Sequence, residues 1–303
     1  MQKSVPGDSP QETRDRVRAI ALMALAVTFF AALDTNAKYL ILRDGLSVSQ
    51  IVWARFIGQF GLLLALVPAF GVMTAKSLFT TNRLGLQLVR SVLMVATTLF
   101  NFMALEFLRL DQTITIVFLA PLVVAALAGP LLGEWVGWRR GLAILVGFAG
   151  VLIVVRPGFA DVHPAVIYSL LAMLAYALFM LLTRHMATFD PPLVTLFYSM
   201  FAGAAFGAPF AIAHWVTPPD ALSWLLLCSL GILGGAGHYL FIHAYRLAPA
   251  SAVAPFLYLQ LLSMVAFGFY VFGDLPDAWT LAGSAVIVAS GIYLFHRERL
   301  RGG

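Results

Sequence analysis

Ten runs of about twenty predominantly apolar residues follow one another along the chain, at roughly 19–41, 47–70, 84–105, 112–133, 137–155, 163–187, 192–213, 222–245, 250–272 and 278–296. No other feature narrows the choice of fold so far. About 20 apolar residues in a helix cross the hydrocarbon core of a bilayer. Inside that core every backbone N–H and C=O must find its partner within the protein, which leaves helices or a closed barrel. The runs are too long and too continuous for the alternating pattern of barrel strands, so each is predicted as a membrane-spanning helix. Turn and charge signals fill the breaks, among them Arg43-Asp44-Gly45, Asn82-Arg83, Arg156-Pro157-Gly158, Asp190-Pro191-Pro192, Pro218-Pro219-Asp220 and Gly273-Asp274. Composition agrees. Charged residues make up 11% of the 303 and hydrophobic ones 61%, whereas a soluble domain carries about a quarter charged residues.

The net charge of +5 does not point to nucleic acid, because the basic residues sit in short loops and tails rather than on one polar face. Their distribution sets an orientation instead. With the N-terminus in the cytoplasm, the inner segments hold Lys3, Arg14, Arg16, Arg18, Lys76, Arg83, Arg139, Arg140, Arg184, Arg246, Arg297, Arg299 and Arg301, against Lys38, Arg43, Arg109 and Arg156 outside. Both termini are therefore expected in the cytoplasm and the protein in a bacterial inner membrane, working as a monomer surrounded by lipid. Residues 1–18 read as a polar tail, 297–303 as a second tail, and the first apolar run as an uncleaved helix, since no small-residue cleavage site follows it. The single cysteine, Cys228, lies in an apolar run and forms no intrachain disulfide.

The two halves resemble each other. At an offset of 140 residues Ala104 meets Ala244, Leu119 meets Leu259, Gly133 meets Gly273 and Glu134 meets Asp274; at 141, Trp138 meets Trp279 and Gly150 meets Gly291; at 146, Lys38 meets Arg184. Five crossings per half is an odd number, so residues 19–156 and 157–296 are expected as two five-helix repeats inserted in opposite directions. Inverted repeats favour secondary transport, because pseudo-symmetric halves can exchange inward-open and outward-open states around a site near the midplane.

Residues Pro121 to Arg156, PLVVAALAGPLLGEWVGWRRGLAILVGFAGVLIVVR, resemble the signature of the drug/metabolite transporter superfamily, EamA type. A fourth helix ends in Gly-Glu, a basic turn follows, and a Gly-patterned fifth helix ends near Arg-Pro-Gly. Gly273-Asp274, continued by Gly283 and Gly291, resembles the same unit. The resemblance implies an all-α integral membrane protein, ten transmembrane helices as two inverted repeats around a central cavity, and export of small metabolites. Within that family the chain is similar to bacterial exporters of amino acids, aromatic ones included. Glu134 and Asp274 fall on the family's Gly-acid ends and are read as caps or gate-end residues.

An ionisable residue inside a span is costly and is a functional candidate by default. Asp34 lies roughly 10 Å below the outer end of the first helix at 1.5 Å per residue, and Arg55 lies at a comparable depth on the second. Together they could hold the ammonium and carboxylate of an amino acid. Lys38, at i+4 from Asp34, either joins them, pairs with Asp34, or reaches outward to the interface. His238 is a candidate for substrate or proton, and proton coupling through Asp34 or His238 stands beside uniport as an open reading. Tyr239, next to His238, joins the substrate candidates with Asn101, Tyr176, Tyr258 and Gln260; packing hydrogen bonds explain each of these equally well. Gly231 and Gly235 form a small-xxx-small face for close helix approach. Pro121, Pro209 and Pro255 interrupt spans and are expected to kink them. No metal site is expected, since His238 and His243 are at i+5 without an acid or cysteine nearby, and no cofactor is expected.

Three functions remain. The leading one is a secondary exporter of amino acids, aromatic or large and neutral, working by alternating access; no Walker motif suggests direct use of ATP. The alternative is a carrier that imports or exchanges a nucleoside-like cofactor, a vitamin or a drug. An intramembrane enzyme acting on lipid would need a nucleophile beside a base, and none is found at a motif, so the chain is not expected to be an enzyme.

Overall fold

The computed structural model describes residues 10–69, 75–132, 138–155, 163–186, 189–248 and 254–299. They form α1 (Pro10–Leu42), α2 (Val48–Ala69), a one-turn α3 (Ala75–Leu78), α4 (Leu84–Leu105), α5 (Leu110–Val117), α6 (Ala120–Leu132), α7 (Trp138–Val155), α8 (Val166–Met186), α9 (Pro192–Ala213), α10 (Ala221–Leu247), α11 (Leu259–Phe267) and α12 (Ala278–Arg299). No strand occurs among the described residues. Seven segments are long and apolar enough to cross a membrane, and three shorter apolar helices cover 141–154, 256–272 and 278–293. The ten runs of the sequence therefore appear as ten helical segments of an all-α membrane protein.

The packing follows a two-fold rule. Matching the halves in order pairs α1 with α8, α2 with α9, α4 with α10, α5–α6 with α11, and α7 with α12. The contact of α1 with α10 then has its counterpart in α8 with α4, that of α2 with α10 in α9 with α4, and that of α1 with α11 in α8 with α6; α2–α9 and α7–α12 each map onto themselves. Local detail repeats as well. Ala104 and Ala244 are both fully buried, and their carbonyls accept the N–H groups of Leu108 and Ala248 at 2.8 and 3.3 Å.

Glycine sets the closest approach. A methyl group on Gly231 would lie 2.5 Å from the Cα of Gly58, and one on Gly235 would lie 2.7 Å from Leu62 Cδ2. The expected small-residue face of α10 thus meets α2 with backbone against backbone. The α7–α12 contact is built alike, around Gly150 and Gly283.

Two spans are broken. The fourth is divided between α5 and α6, with Pro121 as the second residue of α6, a first-turn position where a missing N–H costs nothing. The ninth begins as a 3-10 turn (Ala254–Tyr258) containing Pro255, continues as α11, and ends in a π turn (Gly268–Phe272). Gly273 then reverses the chain at φ +75°, the left-handed region that glycine alone enters cheaply. Pro209 differs, for α9 runs through it without interruption. Glu134 lies outside the described residues.

Candidate substrate site

Asp34 is buried midway along the bundle and accepts a hydrogen bond from Asn101 Nδ2 of α4 at 3.2 Å. Arg55 of α2 lies within Coulombic range of Asp34. Its guanidinium sits 5.9 Å from the rings of both Phe56 and Phe102, at the outer limit of a cation–π contact. Its Nε is buried without a hydrogen-bond partner. His238 of α10 lies within Coulombic range of Arg55 and Arg90, packs edge-on against Phe30 of α1 with centroids 5.0 Å apart, and leaves Nε2 unpartnered. Tyr176 of α8 stacks on Phe179 at 6.3 Å and packs against the main apolar core. Residues from α1, α2, α4, α8 and α10 thus bring an acid, a base, an imidazole, an amide and a phenol into the interior, in a medium where unpaired charge is costly.

Lys38 does something else. It is buried rather than snorkelling, and Asp34 is not its partner. Its Nζ donates to the Leu108 carbonyl at 3.1 Å and to Asp274 Oδ2 at 3.2 Å, and lies 4.8 Å from the centre of the Phe272 ring. This ties α1 of the first repeat to the loop before α12 of the second. Arg109 adds a second tie at the same end, with a two-pronged pair to Asp111 at 3.1 Å and a 3.7 Å contact to Asp277. Asp274 is therefore a clamp residue at one end of the bundle.

Other candidates separate from the centre. Tyr239 is 63% exposed and shares a seven-residue repeat with exposed Leu225 and Ile232, the outward stripe of α10; its ring rests on His243 at 4.5 Å. The expectation that Tyr239 lines the substrate site is corrected on that ground: its side chain stands apart from the buried central cluster. Tyr258 stands edge-on to Phe118 at 5.0 Å and points its hydroxyl at Gly291 of α12, where a Cβ would collide with it. Gln260 is half-buried on α11.

Three polar residues carry more structure than sequence reasoning assigned them. Arg90 of α4, buried, donates from Nε to Thr183 Oγ1 at 2.7 Å and from Nη1 to the Thr195 carbonyl at 3.0 Å and Ser199 Oγ at 2.6 Å, with Phe179 4.3 Å beneath it. It fastens α4 to α8 and α9. Asp190, at the other end of the bundle from Lys38, accepts from Thr81 Oγ1 at 2.5 Å, Gln87 Nε2 at 2.8 Å and the Asn82 N–H at 3.4 Å. Gln59 of α2 is 1% exposed, yet neither of its amide atoms has a partner. Each is a polar residue within or beside an apolar run, a signal visible in the sequence; their different roles are not.

Two packed repeats, charged groups in an apolar interior and an ion-paired clamp at one end define a carrier-type membrane protein. The model of the EamA-like transporter family matches residues 17–156 and again 163–296, and the chain belongs to that family. Its relatives include an S-adenosylmethionine uptake transporter of Rickettsia bellii, 27% identical over 92% of this chain and 94% of that one. A riboflavin transporter of Vibrio cholerae is 26% identical over 91% and 92%, and a pseudopaline exporter of Pseudomonas aeruginosa 22% identical over 94% and 99%. A crystal structure at 17% identity, with a TM-score of 0.61 over 93% of this chain and 97% of that one, shares the fold. None of these relatives is named an amino-acid exporter, and resemblance to the aromatic amino-acid exporters is not what the comparisons bring out.

Proposed function

We propose that the protein is a secondary carrier for a nucleoside-like cofactor or vitamin, of the kind represented by S-adenosylmethionine and riboflavin. It would act by alternating access in a bacterial inner membrane, as a monomer with both termini in the cytoplasm and repeat boundaries near residues 19–156 and 157–296. The observation that carries the reading is the interior opposition of Asp34, held by Asn101, to Arg55, whose Nε has no partner. An acid and a base in one buried region suit a substrate with both charges, and the aromatic walls at Phe30, Phe102 and Tyr176 suit one with a flat ring. An amino acid would also satisfy the charges; the relatives named for ring-bearing cargo favour the larger substrate.

The test is uptake of radiolabelled S-adenosylmethionine and of riboflavin into liposomes containing the purified chain, with unlabelled amino acids as competitors. Saturable uptake of one of the two, lost in Asp34→Asn or Arg55→Ala, supports the proposal. Uptake of phenylalanine or leucine with neither cofactor transported restores the amino-acid reading.

A further inference from the structure

We infer that Gln59, with Arg55 one turn to one side on α2 and His238 one turn to the other side on α10, forms a subsite that reads the hydrogen-bonding edge of a planar heteroaromatic ring on the substrate. This rests on the cofactor-carrier reading and names residues for one part of it.

Three buried glutamines differ in how their amides are used. Gln50 is fully buried and its amide is used at both ends, Nε2 donating to the Val216 carbonyl and Oε1 accepting the Val216 N–H, each at 2.9 Å. Gln87, equally buried, uses one end of its amide: Nε2 donates to Asp190 and Thr195 at 2.8 and 3.2 Å, while Oε1 has no partner. Those two fasten the scaffold. Gln59 is buried to the same degree, but Oε1 and Nε2 both lack a partner. Buried polar groups are nearly always paired, and an orphan calls for an explanation.

Its surroundings supply one. The Gln59 amide lies directly over Gly234, where a Cβ would collide with Nε2, and the same Cβ would come within 3.1 Å of Leu33 Cδ1. Gly234 therefore makes room for the amide between α1, α2 and α10. Arg55 lies four residues before Gln59, on the same face of α2, and His238 four residues after Gly234, on the same face of α10. Arg55 Nε and His238 Nε2 are also buried and unpartnered. Three side chains along one interhelical seam thus offer four unsatisfied polar atoms, beside the aromatic ring of Phe30.

The amide selects the chemistry. A carboxylate seeks two donors and an ammonium seeks only acceptors. A primary amide presents one donor and one acceptor side by side, the pattern that pairs with the amino and ring-nitrogen edge of a purine or the imide edge of a flavin. A hydrophobic seam holding such a pair rejects a substrate without the matching edge strongly, because its polar atoms then stay unpaired.

The experiment uses the full chain in liposomes and whichever of S-adenosylmethionine and riboflavin the wild type transports. Competitors are the ring fragment (adenine or lumichrome) and the tail fragment (methionine or ribitol). In Gln59→Leu the KM of the intact probe and the inhibition constant of the ring fragment rise at least tenfold, while that of the tail fragment moves less than twofold. The melting temperature of Gln59→Leu stays level or rises, since an orphaned amide has been removed. Gly234→Ala, which leaves the glutamine but displaces its amide, gives the same selective loss. Equal shifts for both fragments, no shift for either, or a ring fragment that fails to compete in the wild type overturns the inference while the carrier reading stands. No uptake of either probe by the wild type overturns the carrier reading and this subsite together.

Discussion

Replacing Gly231 by alanine tests whether α2 and α10 are held in backbone contact. The added methyl carbon would lie 2.5 Å from Gly58 Cα, 2.6 Å from the Gly58 carbonyl carbon and 2.9 Å from the Gln59 nitrogen. Non-bonded carbons settle at about 3.5–4.0 Å, so the two helices must separate by roughly 1 Å at the crossing. Nothing on the α2 side can turn aside, because all three atoms are backbone. Overpacking of this kind costs about 1–3 kcal/mol, and the upper half of that range applies where no side chain can yield. Alanine recovers about 1 kcal/mol of helix propensity, leaving a net loss of about 1–2 kcal/mol. Gly61→Ala is the control. It lies on the facing helix α2, three residues from Gly58, and nothing stands within 4 Å of its Cβ position, so only the propensity gain of about 0.5–1 kcal/mol remains. The variants should differ by about 1.5–3 kcal/mol. At roughly 2–4 °C per kcal/mol for a domain of 150–250 residues, the melting temperatures should stand several degrees apart, Gly61→Ala above wild type and Gly231→Ala below. The assay is thermal unfolding in one detergent at one scan rate, since membrane proteins commonly melt irreversibly. A Gly231→Ala protein that melts at or above Gly61→Ala refutes the backbone contact.

Other consequences can be measured on the same preparation. Lys38→Asp breaks the tie to Asp274, and the double swap with Asp274→Lys should recover part of the lost melting temperature; a swap no better than the single change would show that the pair is not coupled. Arg90→Lys keeps the charge but cannot reach Thr183, Thr195 and Ser199 from one ammonium, so a loss of about 2 kcal/mol or more is expected, with hydrogen bonds to charged groups at about 1.5–3 kcal/mol each; unchanged melting would remove its role as fastener. At Asp190 burial opposes the charge, but donors Thr81, Gln87 and Asn82 together outweigh it and hold the carboxyl below its ordinary value. A carboxylate depressed by folding contributes its stability above the unfolded value near 3.9 and loses it as pH falls through the folded value. The melting difference between wild type and Asp190→Asn should therefore be full at pH 7 and shrink below about pH 4; a difference that grows on acidification contradicts the assignment.

The sequence by itself determined the number, length and helical nature of the spans, because the lipid core imposes a length and forbids unpaired backbone whatever the neighbours are. It also carried the repeat, since equivalent packing demands equivalent small residues, as Ala104 and Ala244 illustrate. It marked Asp34, Arg55 and His238 as costly enough to matter. Partnership was another matter, for it depends on which faces of distant helices meet. Lys38 stands four residues from Asp34, a spacing that suggests a local pair, yet it bonds to Asp274 some 236 residues away. Tyr239 and His238 are adjacent, and the 100° step of a helix turns one outward and the other inward. Gln50, Gln59 and Gln87 are the same residue in similar apolar stretches, and only the tertiary structure separates two that bond to distant segments of the chain from one whose amide is unbonded at both atoms.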